Sequence, residues 1–108
     1  MNVYVEERLV IRDLEVAKSF FKRLRGMIQR PISALYFPHC NSVHTFFMQK
    51  PIDIVFLDRQ YRIQRISREV EPRRFRMSGK SAHVLELDAT LADKLDLRVG
   101  DSLRFEEH

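Results

Sequence analysis

Residues 38–58 read Pro38-His39-Cys40-Asn41-Ser42-Val43-His44-Thr45-Phe46-Phe47-Met48-Gln49-Lys50-Pro51-Ile52-Asp53-Ile54-Val55-Phe56-Leu57-Asp58, and this stretch decides the fold. It is dense in β-branched and aromatic residues, the types that fit a pleated and half-buried surface. The reading predicts one strand over Ser42–Met48 and a second over Ile52–Leu57, joined by a turn at Gln49-Lys50-Pro51. Alternation puts His44, Phe46 and Met48 on one face of the first strand, with Val43, Thr45 and Phe47 on the other. In the second, Ile52, Ile54 and Phe56 share a face, and Asp53 shares the opposite one with Val55 and Leu57.

Working outward, short strands are predicted at residues 3–11 (one or two), 34–37, 61–66, 83–87 and 102–105. Asp13 can cap a helix over residues 13–25, because Leu14, Ala17, Phe21, Leu24 and Ile28 recur at the helical period. Lys22, Arg23 and Arg25 suit its last turn; Gly26 and Pro31 end it. Thr90-Leu-Ala-Asp93 reads as a capping box that opens a short helix through Leu95. Residues 67–81, polar and Arg-rich with Pro72 and Gly79, read as a loop. The fold class is therefore mainly β (α+β). We expect a compact sandwich or barrel-like domain of about seven short strands, with one N-terminal amphipathic helix and a short C-terminal helix.

A chain of 108 residues is expected to form one domain over 1–108, with hydrophobic content of 44% and charged content of 31%. One cysteine excludes an intrachain disulfide. No stretch approaches the roughly 20 apolar residues of a membrane span, and the N-terminus lacks a signal pattern, so the expected location is the cytoplasm. The net charge of +4 is concentrated. Residues 59–80 hold eight cations against Glu69 and Glu71, a net of +6.

Cys40, His44 and Met48, four apart, invite a metal reading. Four residues on a strand span roughly 13 Å, too far for shared ligation, so no metal or other cofactor is expected. His44 and Met48 can line a pocket wall, or His44 can be a core histidine bonded to backbone. Asp53, an ionisable group on an apolar face, needs a partner. Glu86, between Leu85 and Leu87, poses the same question. The two could act as an acid/base pair or form structural ion pairs with Arg23 or Arg30, and the structural pairing is favoured. Asp58 and Asp101 read as turn residues. No nucleophile motif is present, and three glycines exclude a Gly-rich phosphate cradle. Arg73-Arg74-Phe75-Arg76 interleaves cations with an aromatic ring, as surfaces that bind anions or single-stranded nucleic acid do. A solvated loop is its plainer reading.

His44-Thr-Phe-Phe-Met48 followed by Pro51-Ile-Asp53-Ile-Val-Phe56-Leu-Asp58 resembles the central signature of the DUF192 family of bacterial and archaeal proteins. Arg23-Leu-Arg-Gly26-Met27-Ile-Gln-Arg30 is similar to that family's early motif. Ala82-His-Val-Leu85-Glu86-Leu87 and Leu97-Arg-Val-Gly100-Asp101 are similar to its late strand and closing turn. Many members have Trp, Met, Lys, Asn and Thr where this chain has Phe47, Met48, Gln49 and Lys50, so a role of that Asn/Thr pair does not carry over. The resemblance implies a β-rich domain with no established biochemical activity, in a family whose members include chains with export or anchor segments.

Three functions remain open. The favoured one is a non-catalytic domain that binds a small ligand or protein partner near His44, Met48, Asp53 and Glu86. Next comes an enzyme using Asp53 with His44 or Glu86. Last comes nucleic-acid or anion binding through Arg73, Arg74 and Arg76.

Overall fold

A computed structural model gives the architecture of residues 1–16, 34–46 and 48–107. The described residues form ten strands and one helical turn. In chain order these are β1 (Asn2–Val5), β2 (Arg8–Ile11), β3 (Glu15–Val16), β4 (Ala34–Phe37), β5 (Ser42–His44), β6 (Ile52–Leu57), β7 (Ile63–Val70), β8 (Phe75–Met77), β9 (His83–Asp88), α1 (Leu91–Lys94) and β10 (Leu103–Glu106). Three layers result: a sheet in the order β10-β1-β2, a central sheet β3-β4-β9-β6-β7, and a ribbon β5-β8. No pairing closes these sheets into a barrel among the described residues.

The central sheet is buried on both faces. On one side Val55, Leu57, Leu85 and Leu87 pack with Val3, Val5 and Leu103 of the three-stranded sheet. On the other, Ile52, Ile54, Phe56 and Val84 pack with Leu35, Phe37 and Val43, the last contributed by the ribbon. A strand covered on both faces must be apolar on both faces, which is why β6 reads as a nearly unbroken hydrophobic run.

Four expectations need correction. The strand expected over Ser42–Met48 is strand only at Ser42–His44 among the described residues, because the chain then turns, the Met48 amide donating to the Thr45 carbonyl at 3.1 Å. The helix over residues 13–25 is not borne out at its start. Asp13 has φ 55°, and Glu15 and Val16 pair in parallel with Leu35 and Tyr36. The Leu14 amide donates to the Met1 carbonyl at 2.7 Å, so the backbone here is committed to sheet-like partners. The rest of that helix, with Arg23 and Arg30, lies outside the described residues, as does Phe47. Residues 67–81 are not simply a loop, since β7 runs to Val70 and β8 pairs with β5. Thr90, at φ 73°, makes no side-chain cap to α1. The Asp53 carboxylate supplies one from the neighbouring strand instead, accepting the Ala92 amide at 2.9 Å.

Candidate functional site

The four residues expected to share a ligand site are divided by the central sheet. Residues opposite one another in an antiparallel pair point to the same face. Asp53 opposes Leu87 and therefore faces the three-stranded sheet; Glu86 opposes Ile54 and faces the ribbon side. The two carboxylates cannot act on one substrate. Asp53 is 0% exposed. Its Oδ1 accepts the Glu69 amide at 2.8 Å and its Oδ2 the Ala92 amide at 2.9 Å. Among the described residues, backbone donors hold both of these oxygens, joining a bulge of β7 to the start of α1.

His44 is exposed on the ribbon, and its ring packs on Phe46 at 5.4 Å between centroids. It is not the core histidine that one reading allowed. Met48 is half-buried against the ribbon-side core, as is Cys40, whose Sγ donates to the Ser42 carbonyl at 3.0 Å. Asp58 and Asp101 are turn residues. Oδ1 of Asp58 accepts the Gln60 and Arg62 amides at 2.8 and 3.0 Å, and Oδ2 of Asp101 accepts the Arg98 amide at 3.0 Å.

The arginines line a groove elsewhere. Register places Arg65 opposite Phe56 and Ser67 opposite Ile54, so both point to the ribbon side of the sheet. Across from them, Arg74 and Arg76 come from the segment that becomes β8. Together with Arg68, Glu69 and Glu71 they line an open groove of about 370 Å³. That volume lies within the range of small-ligand pockets. Four guanidinium groups outnumber two carboxylates around it.

Two of the four cations are already engaged. Arg68 pairs with Asp93 of α1 at 2.9 Å, and Arg74 with Glu71 at 3.5 Å. Arg65 and Arg76 reach only backbone carbonyls among the described residues. Arg65 donates to Met77 at 2.9 Å and Arg76 to Phe75 at 2.8 Å. Ser67 is 8% exposed, and its hydroxyl has no hydrogen-bond partner among the described residues. A guanidinium carries five donors in a planar fork, so one carbonyl leaves most of its capacity unused. Unused donors, positive charge and an orphan hydroxyl suit a multivalent oxyanion.

Two further groups escaped the sequence reading. Thr45 pins the arginine-bearing loop. Its buried hydroxyl donates to the Glu71 carbonyl at 2.7 Å and accepts the Arg74 amide at 2.9 Å. Its carbonyl also accepts the Arg73 amide at 3.0 Å. His83, at the start of β9, stacks on Tyr61 at 4.9 Å and 18° and neighbours Tyr36 and His39. Its Nδ1 accepts the His39 amide at 3.1 Å, which puts the neutral ring's proton on Nε2. Burial, and then the nearby His39, lower its pKa from the ordinary 6.5, against the opposing pull of Asp58. Burial, the neighbouring Tyr61 and a hydrogen bond to its side chain raise the Tyr36 phenol well above the usual tyrosine range.

Comparison with known proteins gives a consistent assignment. The DUF192 family model, described as Uncharacterized ACR, matches residues 3–105. A UPF0127 protein of Thermococcus sibiricus is 31% identical over 101 residues, covering 86% of this chain and 66% of the relative. This chain thus spans just under two thirds of that relative. A UPF0127 protein of Pyrococcus abyssi is 31% identical over 116 aligned positions, covering 97% of this chain and 98% of the relative. Among solved structures, a protein of unknown function from Novosphingobium aromaticivorans superposes with TM-score 0.78 at 20% identity, over 96% of this chain and 82% of that one. A Sinorhizobium meliloti protein, described as a candidate transcription regulator, gives TM-score 0.72 at 22% identity, over 84% of this chain and 79% of its own. At those identities the likeness shows the fold alone. With the family model spanning nearly the whole sequence, and the motifs falling in the expected order, this chain belongs to the DUF192 family.

Proposed function

We propose that this is a non-catalytic binding domain for an anionic ligand, seated in the groove between β7 and the β5–β8 ribbon. The observation that carries this reading is the pairing state of the groove's cations. Among the described residues, Arg65 and Arg76 line it with neutral carbonyls as their partners, beside the buried Ser67 hydroxyl, which none of them pairs. An incoming phosphate or carboxylate gains charge-assisted hydrogen bonds there without first displacing a protein carboxylate from these two groups. His44, Met48 and Glu86 stay on the same side of the sheet but outside this lining. Asp53 is proposed as a structural residue.

Isothermal titration calorimetry with inorganic pyrophosphate at low ionic strength tests the reading. Arg65→Gln and Arg76→Gln should each weaken binding about tenfold, equivalent to about 1.4 kcal/mol. Affinity that is absent in the wild type, or unchanged in both variants, would remove the groove as the site.

A further inference from the structure

The outer face of the β5–β8 ribbon has no role in anion binding and yet exposes rings. His44 opposes Phe75, and Ser42 opposes Met77, so all four share one face of the ribbon. Cross-strand neighbours in such a pair sit about 5 Å apart at Cβ. Phe75 is 56% exposed, Met77 48%, and Phe46, whose ring packs on His44, 57%. Val43 and Arg76, opposed in the same register, take the other face, toward the core and the groove. The ribbon is thus aromatic outside and basic inside.

Its charge is one-sided. Residues 38–52 and 72–85, which contain the ribbon and its flanks, hold Lys50, Arg73, Arg74, Arg76 and Lys80 and no carboxylate at all. Arg73 is in the left-handed region at φ 65°, and its amide is tied to the Thr45 carbonyl, which anchors the loop that carries Arg73 and Arg74 beside the end of β5.

We propose that the anion of this site is the backbone of a single-stranded nucleic acid, whose bases stack on the ring face of the ribbon. This rests on the groove being an anion site. In a polynucleotide, phosphates and bases diverge from the sugar to opposite sides. A strand that follows the edge of β8 can lay phosphates on its groove side, against Arg74 and Arg76, while its bases reach over that edge to Phe75, with Phe46 and His44 beyond. Four guanidinium groups outnumber Glu69 and Glu71 around the groove, and the flanking tracts add no carboxylate, which suits a polyanion. Exposed rings beside cations match the stacking and cation–π contacts that bind single strands irrespective of sequence. A duplex fits less well. Its base faces are already stacked on one another and are not free to lie on the exposed rings.

Fluorescence anisotropy with a labelled oligothymidylate or oligouridylate of about 12 nucleotides tests this, alongside inorganic pyrophosphate on the same proteins. Phe75→Ala should weaken oligonucleotide binding about fivefold or more and leave pyrophosphate affinity unchanged. Arg76→Gln should weaken both ligands, and oligonucleotide affinity should fall log-linearly with added salt. If pyrophosphate binds but the oligonucleotide does not, or binds equally well to Phe75→Ala, the nucleic-acid inference fails while the anion groove stands. If neither ligand binds, both fail. Preference for duplex DNA, an acidic peptide or anionic vesicles over the single strand would likewise overturn it.

Discussion

Thr45, Asp53 and His83 each hold a junction between elements through one polar side chain. The Thr45 hydroxyl satisfies one backbone donor and one backbone acceptor of residues 71–74. Thr45→Val keeps the shape and leaves both unpaired, so a loss of about 1–3 kcal/mol is expected in urea denaturation, with Thr45→Ser close to wild type. Asp53→Asn replaces one acceptor oxygen with an NH2 that faces a backbone N–H. We expect a loss of about 2–3 kcal/mol by the same measurement, and a neutral result would remove Asp53 from the scaffold. His83 has its pKa lowered by folding, so the unfolded chain binds its proton more readily. Its stabilising contribution is present above the unfolded value and is lost as pH falls through the lower, folded one. Denaturation midpoints at about pH 7.5 and pH 5 should show a smaller acid loss for His83→Gln than for wild type. Asp53 was legible as an anomaly because a carboxylate interrupts an apolar run. Its partners were not legible, since a backbone amide has no letter in the sequence. Thr45 gave no signal, because threonine is ordinary in a strand.

At the scale of elements, strands were legible where burial dictated composition. β6 and β9, covered on both faces, announce themselves as apolar runs, and β6 falls where its residues predict it. Ile54→Ala, at a position with 0% exposure, should cost about 2–5 kcal/mol. Val99→Ala, 63% exposed, should stay within about 0.5 kcal/mol in the same assay. Legibility failed where long-range pairing overrode local pattern. Leu14, Ala17 and Phe21 keep a helical period, but Glu15 and Val16 are taken by a partner strand about twenty residues away. β8 hides in an Arg-rich tract because its pairing with β5 needs only backbone, leaving Phe75 and Met77 exposed. The single turn of α1 was visible in Thr90-Leu-Ala-Asp93, but its cap comes from Asp53 of β6.

For the whole molecule, the three layers explain both why the four expected residues are kept apart and why a groove lined by arginines opens elsewhere. The central sheet places Asp53 and Glu86 in separate cores, so proximity in sequence pattern gives no shared chemistry. The same layering sets the ribbon over one face of that sheet and brings Arg65 near Arg76, which are eleven residues apart in a tract that reads as an uneven scatter of charge. Attraction to a polyanion from this face should be strongest at low ionic strength, since exposed charges are screened beyond about 8 Å at physiological salt. Amide chemical-shift mapping during a pyrophosphate titration tests the central claim most directly. The account expects shifts clustered at Arg65–Val70 and Arg73–Arg76, saturating together. Shifts centred instead on the depression lined by Glu6, Arg8, Asp96 and Arg98, or spread evenly over all exposed cations, would contradict it.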